Sequence, residues 1–307
     1  MDCVGASEYH SHMELQQLRY FAAVAKHANF TRAAEECLVS QPSLSQQIIK
    51  LERELGRPLF ERLGRTARLT EAGRQFQEHA EQVLRLVDDA KARLTDSPDT
   101  GRLVIGAIPT IAPYLLPRLL DDFRRECPGA KIEVVEETTR NGLELCMRGE
   151  VDLLVLALPV TAEHLHTEPL FTEELHLVLP KKHRLATKPR INTADIADEP
   201  LLLLHEAHCL TENALSFCRR KSLDPITTSR VSQLGTLQEL VSLGQGLSFV
   251  PEMAKRRDVS KSRVYRSLAG EKPERTIGIA WHEFRYQTKL FRRFVDWLRP
   301  WATGFAG

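Results

Sequence analysis

No run of apolar residues in the sequence reaches the roughly 18 residues that a bilayer-crossing helix requires, so a membrane-spanning chain is not expected. The opening stretch, MDCVGASEYHSH, lacks the basic start and apolar segment of a secretion signal, which predicts a cytoplasmic protein whose thiols begin reduced. It also lacks any apolar period, so residues 1–12 read as a disordered extension ahead of Met13, a natural start. An excess of charge is missing too: the net charge is +1, and only a local basic face can point to nucleic acid. What is present is an ordinary globular composition, 42% hydrophobic over 307 residues, enough for two or three domains.

From Leu15, the run LQQLRYFAAVAKHANF places Leu15, Leu18, Phe21, Ala22 and Ala25 on one face, predicting a helix buried on that side. Thr31 is expected to cap a second helix, TRAAEECL, and Ser40 a third, QPSLSQQIIKLEREL. Pro42 then sits in a first turn that needs no intrahelical donor. Two short helices joined by a tight turn suggest a helix-turn-helix. The start of the later helix carries Gln41, Ser43, Ser45, Gln46 and Gln47, compact groups able to reach base edges in a major groove. A merely solvated helix face accounts for the same residues. GRPLFERLGRTARLTEAG next sets Arg57, Arg62, Arg65 and Arg68 around Gly64, with only Glu61 between them in opposition, as a phosphate-gripping wing would. Residues 13 to 97 are otherwise nearly charge-balanced, so the reading rests on placement.

The stretch ANFTRAAEECLVSQPSLSQQIIKLERELGRPLFERLGRTARLTEAG resembles the winged helix-turn-helix of LysR-type transcription regulators. That resemblance implies a domain over 13–70 that binds double-stranded DNA, with Gln41, Pro42, Ser43 and Gln46 at the groove. It places Thr31, Arg32, Arg62, Arg65 and Arg68 on the DNA backbone. After Thr70 a long helix is predicted to about Thr95, where Phe76, Ala80, Val83, Val87, Ala90 and Leu94 alternate spacings of four and three. A dimerising coiled coil over 71–95 is expected from that seam, and packing on the helix's own domain is the competing explanation. Two reading heads on a homodimer imply a DNA site with two-fold symmetry. The polar TDSPDTG closes this part of the chain.

Beyond it, strands and helices alternate: RLVIGAI, a helix ending near Cys127, KIEVVEE, a helix through Met147, and VDLLVLAL. A second set follows with ELHLVLP, PLLLLHE, a helix over Thr211 to Lys221, TTSRVS, TLQELVSLG and LSFVP, before RTIGIAW and the amphipathic YQTKLFRRFVDWL return to the first. This predicts α/β architecture built on parallel βαβ units. The family's regulatory domain is similar, a periplasmic-binding-protein-like pair of α/β lobes with a cleft between them. The resemblance implies a regulatory domain over 101–307, with lobe I at 101–173 and 276–307 and lobe II at 174–275. The crossovers fall near Phe171 to Leu175 and Lys272 to Thr276.

The segment HCLTENALSFC holds Cys209 and Cys218, nine positions apart. If it is helical, the thiols lie about 13.5 Å apart along the axis and face opposite ways. A disulfide needs Cα atoms within about 7 Å, so joining them requires the segment to unwind or fold back. Oxidation would select another local structure, as a redox switch must. Cys209 falls just before the expected helix start, where the dipole and His208 favour thiolate. Two incidental cysteines remain the competing explanation. Cys37, Cys127 and Cys146 look like core or helix-end positions, and Cys3 belongs to the loose prefix.

GAIPTIAPYLLP, EETTRNGLELCMRGEVDLLVLAL, HCLTENALSFC, TLQELVSLGQGLSFVP and KPERTIG together resemble the peroxide-sensing branch of the LysR-type regulators. The resemblance implies Cys209 as the thiol that reacts with hydrogen peroxide and Cys218 as its resolving partner. Thr110, Thr139, His208 and Arg275 would line the peroxide pocket. Taken alone, Thr110 reads as a helix cap and Arg275 as a surface ion pair at a crossover. Ala207 stands where that branch often has glycine, which stiffens the loop. The family pattern further implies a tetramer built as a dimer of dimers, contact with RNA polymerase, and resetting by a thiol reductant. No cofactor or metal is expected.

Other functions compete. A LysR-type regulator could instead take a small organic effector in the inter-lobe cleft. A metal sensor could use His205, His208, Cys209 and Cys218, although opposite-facing ligands make one tetrahedral site awkward. A peroxide-consuming thiol enzyme would leave the DNA-binding half unexplained, so no enzyme activity is expected. A solute-binding protein would need export.

Overall fold

The computed structural model describes residues 13–63, 66–94, 96–204, 209–220 and 226–306, and the chain divides after Thr95 into two compact units. The first begins with α1 (Leu15–His27), α2 (Phe30–Glu36) and α3 (Gln41–Leu55). The buried face of α1 is rotated from the expected one: Gln17, Leu18, Tyr20, Phe21, Ala23 and Val24 are inward, Leu15 is exposed, and Ala22 and Ala25 are half-buried. Gln17 can be buried because its amide is satisfied, donating to Gln47 Oε1 at 3.2 Å and accepting from the Glu14 N–H at 3.0 Å. The cap of α2 is Asn29, not Thr31. Its side-chain oxygen accepts from the N–H groups of Thr31 and Arg32 at 2.9 and 3.0 Å, which places Thr31 inside the first turn. Ser40 caps α3 as expected, accepting from the Ser43 N–H at 3.3 Å, with Pro42 in the first turn.

A wing follows: β1 (Phe60–Leu63) pairs antiparallel with β2 (Thr66–Leu69), setting Glu61 opposite Arg68. Then comes α4 (Glu71–Leu94), a single 24-residue helix. Its expected seam is divided between two environments. Phe76 meets Phe21 edge-on at 5.0 Å between centroids, and Ala80 is buried in the core of its own unit, because α1 lies within reach of the first turns of α4. Farther on, Val83 is 39% and Leu94 88% exposed, Ala90 is exposed and Val87 half-buried. Only this later part of the seam is open.

The second unit starts with β3 (Thr100–Ala107), α5 (Ala112–Glu126), β4 (Gly129–Glu136), α6 (Thr139–Arg148), β5 (Leu153–Leu158) and β6 (Leu165–Pro180). It continues with β7 (Pro200–Leu204), α7 (Cys209–Arg220), β8 (Ile226–Val231), α8 (Leu234–Ser242), β9 (Ser248–Pro251), α9 (Glu252–Arg257) and β10 (Arg263–Arg266). It closes with β11 (Glu274–His282) and α10 (Lys289–Ala306). The expected βαβ pairing is present where β3 runs parallel to both β4 and β5, and where β7 runs parallel to β8. The main sheet is nevertheless mixed. It runs β10-β6-β11-β5-β3-β4, with β9 also on β6, and β11 is antiparallel to both of its neighbours.

Two apolar cores lie along this sheet. One gathers Leu103, Ile105, Leu119, Phe123, Leu154 and Phe294, and the other Leu177, Leu202, Phe217, Cys218, Val241 and Phe249. Tyr114 of α5 packs against both. At the expected crossovers, Glu173 pairs with Arg275 and Glu174 with Glu274 in the β6–β11 register. The difference is that β6 does not break there. It runs for 16 residues through both lobes, because β11 pairs with its first part while β9 and β10 pair with its last. The register of β6 and β11 slips once, between Ile277 and Gly278.

Candidate functional site

At the start of β11, Arg275 carries a side chain with 0% exposure, far from the surface ion pair that its sequence position suggests. A buried guanidinium is tolerated only when its charge and its donors are matched. Here Nε donates to Glu173 Oε1 at 2.9 Å, Nη1 to Thr110 Oγ1 at 2.9 Å, and Nη2 to the Thr110 carbonyl at 3.0 Å. The other carboxylate oxygen of Glu173 accepts from the Met253 N–H at 2.9 Å, holding the start of α9. Four elements therefore converge on one ion pair: β6, β11, α9 and the turn between β3 and α5. Thr110 does not cap α5. The cap position belongs to Ile111, which makes no side-chain cap bond.

Of the four residues expected to form a pocket, Thr110 and Arg275 are in contact. Thr139 sits in the first turn of α6 and lines a groove of about 1050 Å³ with Leu143, Met147 and Val160, whose lining includes neither Thr110 nor Arg275. Among the described residues, the Thr139 hydroxyl is buried with no hydrogen-bond partner. His208, Ala207 and His205 lie outside the described residues.

Cys209 and Cys218 both belong to α7, which begins at Cys209, two residues before the expected start at Thr211. The Thr211 hydroxyl donates to the Leu204 carbonyl at 2.8 Å and ties the first turn to the end of β7. Phe217 and Cys218 are buried in the second lobe's core, and α7 also touches β11, the strand that carries Arg275. The Cys209 side chain lies outside the described residues. Cys146 offers a contrast. Burial, with a smaller effect from Asp152, pushes its thiol up to about 12, so it is not a nucleophile near neutral pH. Cys127 is likewise buried, its thiol donating to the Asp99 carbonyl at 3.4 Å, and half-buried Cys37 is shifted upward chiefly by burial.

In the first unit, the exposed start of α3 presents Gln41, Pro42, Ser43 and Gln46. Ser45 is not among them: helical phase turns it inward with Leu44 and Ile48, and Gln47 is half-buried against Gln17. Thr31, Arg32 and Arg68 are exposed. Arg65 and the Arg62 side chain lie outside the described residues.

The sequence had no motif that singled out Glu173. An acidic residue within an expected crossover, opposite the basic Arg275, was the available signal. Tyr114 sits in a quoted motif, yet only the packing shows that it touches both cores.

Two family models match the chain: "Bacterial regulatory helix-turn-helix protein, lysR family" over residues 15–74 and "LysR substrate binding domain" over residues 96–303. The DNA-binding transcriptional dual regulator OxyR of Escherichia coli (strain K12) is 37% identical over 275 residues, covering 88% of this chain and 89% of that protein. A full-length OxyR variant from Pseudomonas aeruginosa superposes with a TM-score of 0.76 at 32% identity, over 94% of this chain and 98% of that one. A hydrogen peroxide-bound OxyR mutant from Corynebacterium glutamicum gives 0.65 at 30% identity, over 96% and 94%.

Proposed function

Because the chain belongs to the LysR family of DNA-binding transcription regulators, we propose that it is a peroxide-sensing member switched at Cys209 and Cys218. The observation that carries this reading is that both cysteines occupy one uninterrupted helix, with Cys209 at its first residue and Cys218 buried in the core. Nine positions of helix separate their Cα atoms by about 13.5 Å, roughly twice the reach of a disulfide. In the first step the Cys209 thiolate attacks one peroxide oxygen and the O–O bond breaks. Hydroxide leaves and takes up a proton to become water, and the sulfur becomes a sulfenic acid. In the second step the Cys218 sulfur attacks the sulfenic sulfur, the S–S bond forms and water leaves. That bond requires α7 to unwind and Cys218 to leave its core, so its free energy is coupled to the packing of the second lobe. Thr110, Thr139 and His208 would orient peroxide, and Arg275 would steady the leaving oxygen.

The output is a change at DNA. Gln41, Pro42, Ser43 and Gln46 read the groove, while Thr31, Arg32, Arg68, Arg62 and Arg65 hold the backbone. The open part of the α4 seam joins two chains on a two-fold symmetric site, and dimers pair into tetramers that engage RNA polymerase. A thiol reductant restores the cysteines. Locating the protein in the cytoplasm agrees with the reducing start state this cycle needs, and no helix among the described residues is long and apolar enough to cross a membrane.

One equivalent of peroxide, followed by a diagonal gel and mass spectrometry, should yield a Cys209–Cys218 crosslink. Cys218→Ser should trap sulfenic acid or over-oxidise, and Cys209→Ser should abolish the response. A DNA footprint that still changes with peroxide at an undiminished rate in Cys209→Ser would eliminate the mechanism. A regulator responding to a small organic effector is then preferred, since the groove beside Thr139 is large enough for one.

A further inference from the structure

The segment that enters the wing is held from two sides by residues outside the hairpin. On one side, Glu52 reaches from the last turns of α3, and its Oε1 accepts from the N–H groups of Leu59 and Phe60 at 2.7 and 3.1 Å. On the other, the start of α4 takes the carbonyls of the same segment: the Thr70 N–H donates to Leu59 at 3.0 Å and the Thr70 hydroxyl to Pro58 at 2.8 Å. That hydroxyl also accepts from the Gly73 N–H at 2.9 Å, capping α4. Gly73 is there because nothing larger fits. A Cβ at this position would lie 2.1 Å from the Leu59 carbonyl oxygen and 2.9 Å from the Leu69 side chain. Leu59 and Phe60 themselves are buried in the unit's core.

The geometry points to Glu52 as the positioning residue that joins the α3 helix and the wing into a single rigid reading head, with α4 registered to both through Thr70 and Gly73. A carboxylate accepting two main-chain N–H groups makes charge-assisted bonds, which resist the swing that a two-stranded hairpin on a short connector would otherwise have. The Glu52 carboxylate is engaged by the main chain that enters the wing. It fixes where Arg68 and the rest of the wing stand relative to Gln41 and Gln46. A reorientation of α4 must then move groove-reading and backbone-gripping groups together. The inference rests on the proposal that α3 and the wing face DNA.

The test uses the full chain with two probes: a duplex enriched from a random pool by the wild-type protein, and an unselected random duplex. Affinities are measured from 50 to 200 mM salt, and amide exchange of Leu59 and Phe60 is followed without DNA. Glu52→Ala should make the logarithmic salt slope shallower by about one, a ~4-fold smaller loss of affinity across that range. Both amides should exchange at least ~10-fold faster. Glu52→Gln, which keeps an acceptor oxygen, should restore slope and protection. If Glu52→Ala does not fold, Glu52→Asp, one methylene too short to reach both N–H groups, takes its place. Unchanged exchange in the shortened variant overturns the inference. So does a wild-type slope in that variant when Arg68→Ala is shallower. If Arg68→Ala also leaves the slope unchanged, the wing assignment has failed instead, and the exchange rates still decide the role of Glu52.

Discussion

Arg275 grips Thr110 twice, through Nη1 to the hydroxyl at 2.9 Å and through Nη2 to the main-chain carbonyl at 3.0 Å. One of these bonds survives any substitution of the threonine side chain and the other does not, which separates the residue's chemical role from its structural one. Thr110→Val should cost ~1–3 kcal/mol for the buried donor left unmet. In the sensing scheme it should also slow oxidation without stopping it. Arg275→Ala is harsher, since it strands the Glu173 carboxylate in the interior, a loss of ~3–5 kcal/mol. Urea midpoints for the two variants give the ranking directly.

His176 of β6 supplies a pH test. It is buried against Glu252, in short contact with Nε2, and Glu174, 3.7 Å from Nδ1. Its pKa lies below the ordinary imidazole value of 6.5, chiefly because burial disfavours the cation. A depressed folded pKa means that the unfolded chain binds the proton first as pH falls. Its contribution is complete above 6.5 and is lost as pH drops toward the folded value. Thermal melts between pH 7.5 and about 5 should show that decline. His176→Gln should flatten it, while Glu174 and Glu252, whose pKa values are also lowered, should act only in more acidic solution.

The divided seam of α4 predicts two different failures. Val83→Asp places a charge on the open part and should convert dimers to folded monomers on a sizing column. Ala80→Asp places one in the core of the first unit and should unfold it, seen as lost helical ellipticity. An unchanged elution volume for Val83→Asp would refute the seam as the dimer contact.

For DNA, Gln41→Ala should mainly relax sequence choice, whereas Arg68→Ala should weaken binding to every duplex and reduce its salt dependence by about one phosphate contact. Equal losses on selected and random duplex for Gln41→Ala would count against base readout at that position.

Local signals were legible in the sequence where one residue type does one local job. Ser40 and Pro42 marked the start of α3, and the arginines around Gly64 marked the wing. Where two local solutions compete, the choice belonged to packing: Asn29 displaced Thr31 as a cap, and Ser45 followed the helical phase of Leu44 inward. The resemblance implied a crossover near residue 173, but the continuity of β6 through that point was not readable, because strand ends depend on partners distant in sequence. Phe76 and Ala80 matched a heptad seam that α1 had already claimed. Burial of Arg275 was the least visible feature of all, since its acid partner lies 102 residues away.

One strand shared by two lobes also sets how they can move. A hinge made of loops swings freely, but β6 is hydrogen-bonded along both halves, so rotation of one lobe against the other must be absorbed as torsion of β6 and β11 together. A register slip beside Gly278 lies a few residues from the Glu173–Arg275 pair, and a bulge raises the local twist of the ladder there. Such a joint couples the lobes through main-chain hydrogen bonds, so torsion imposed on one half of β6 is passed to the other.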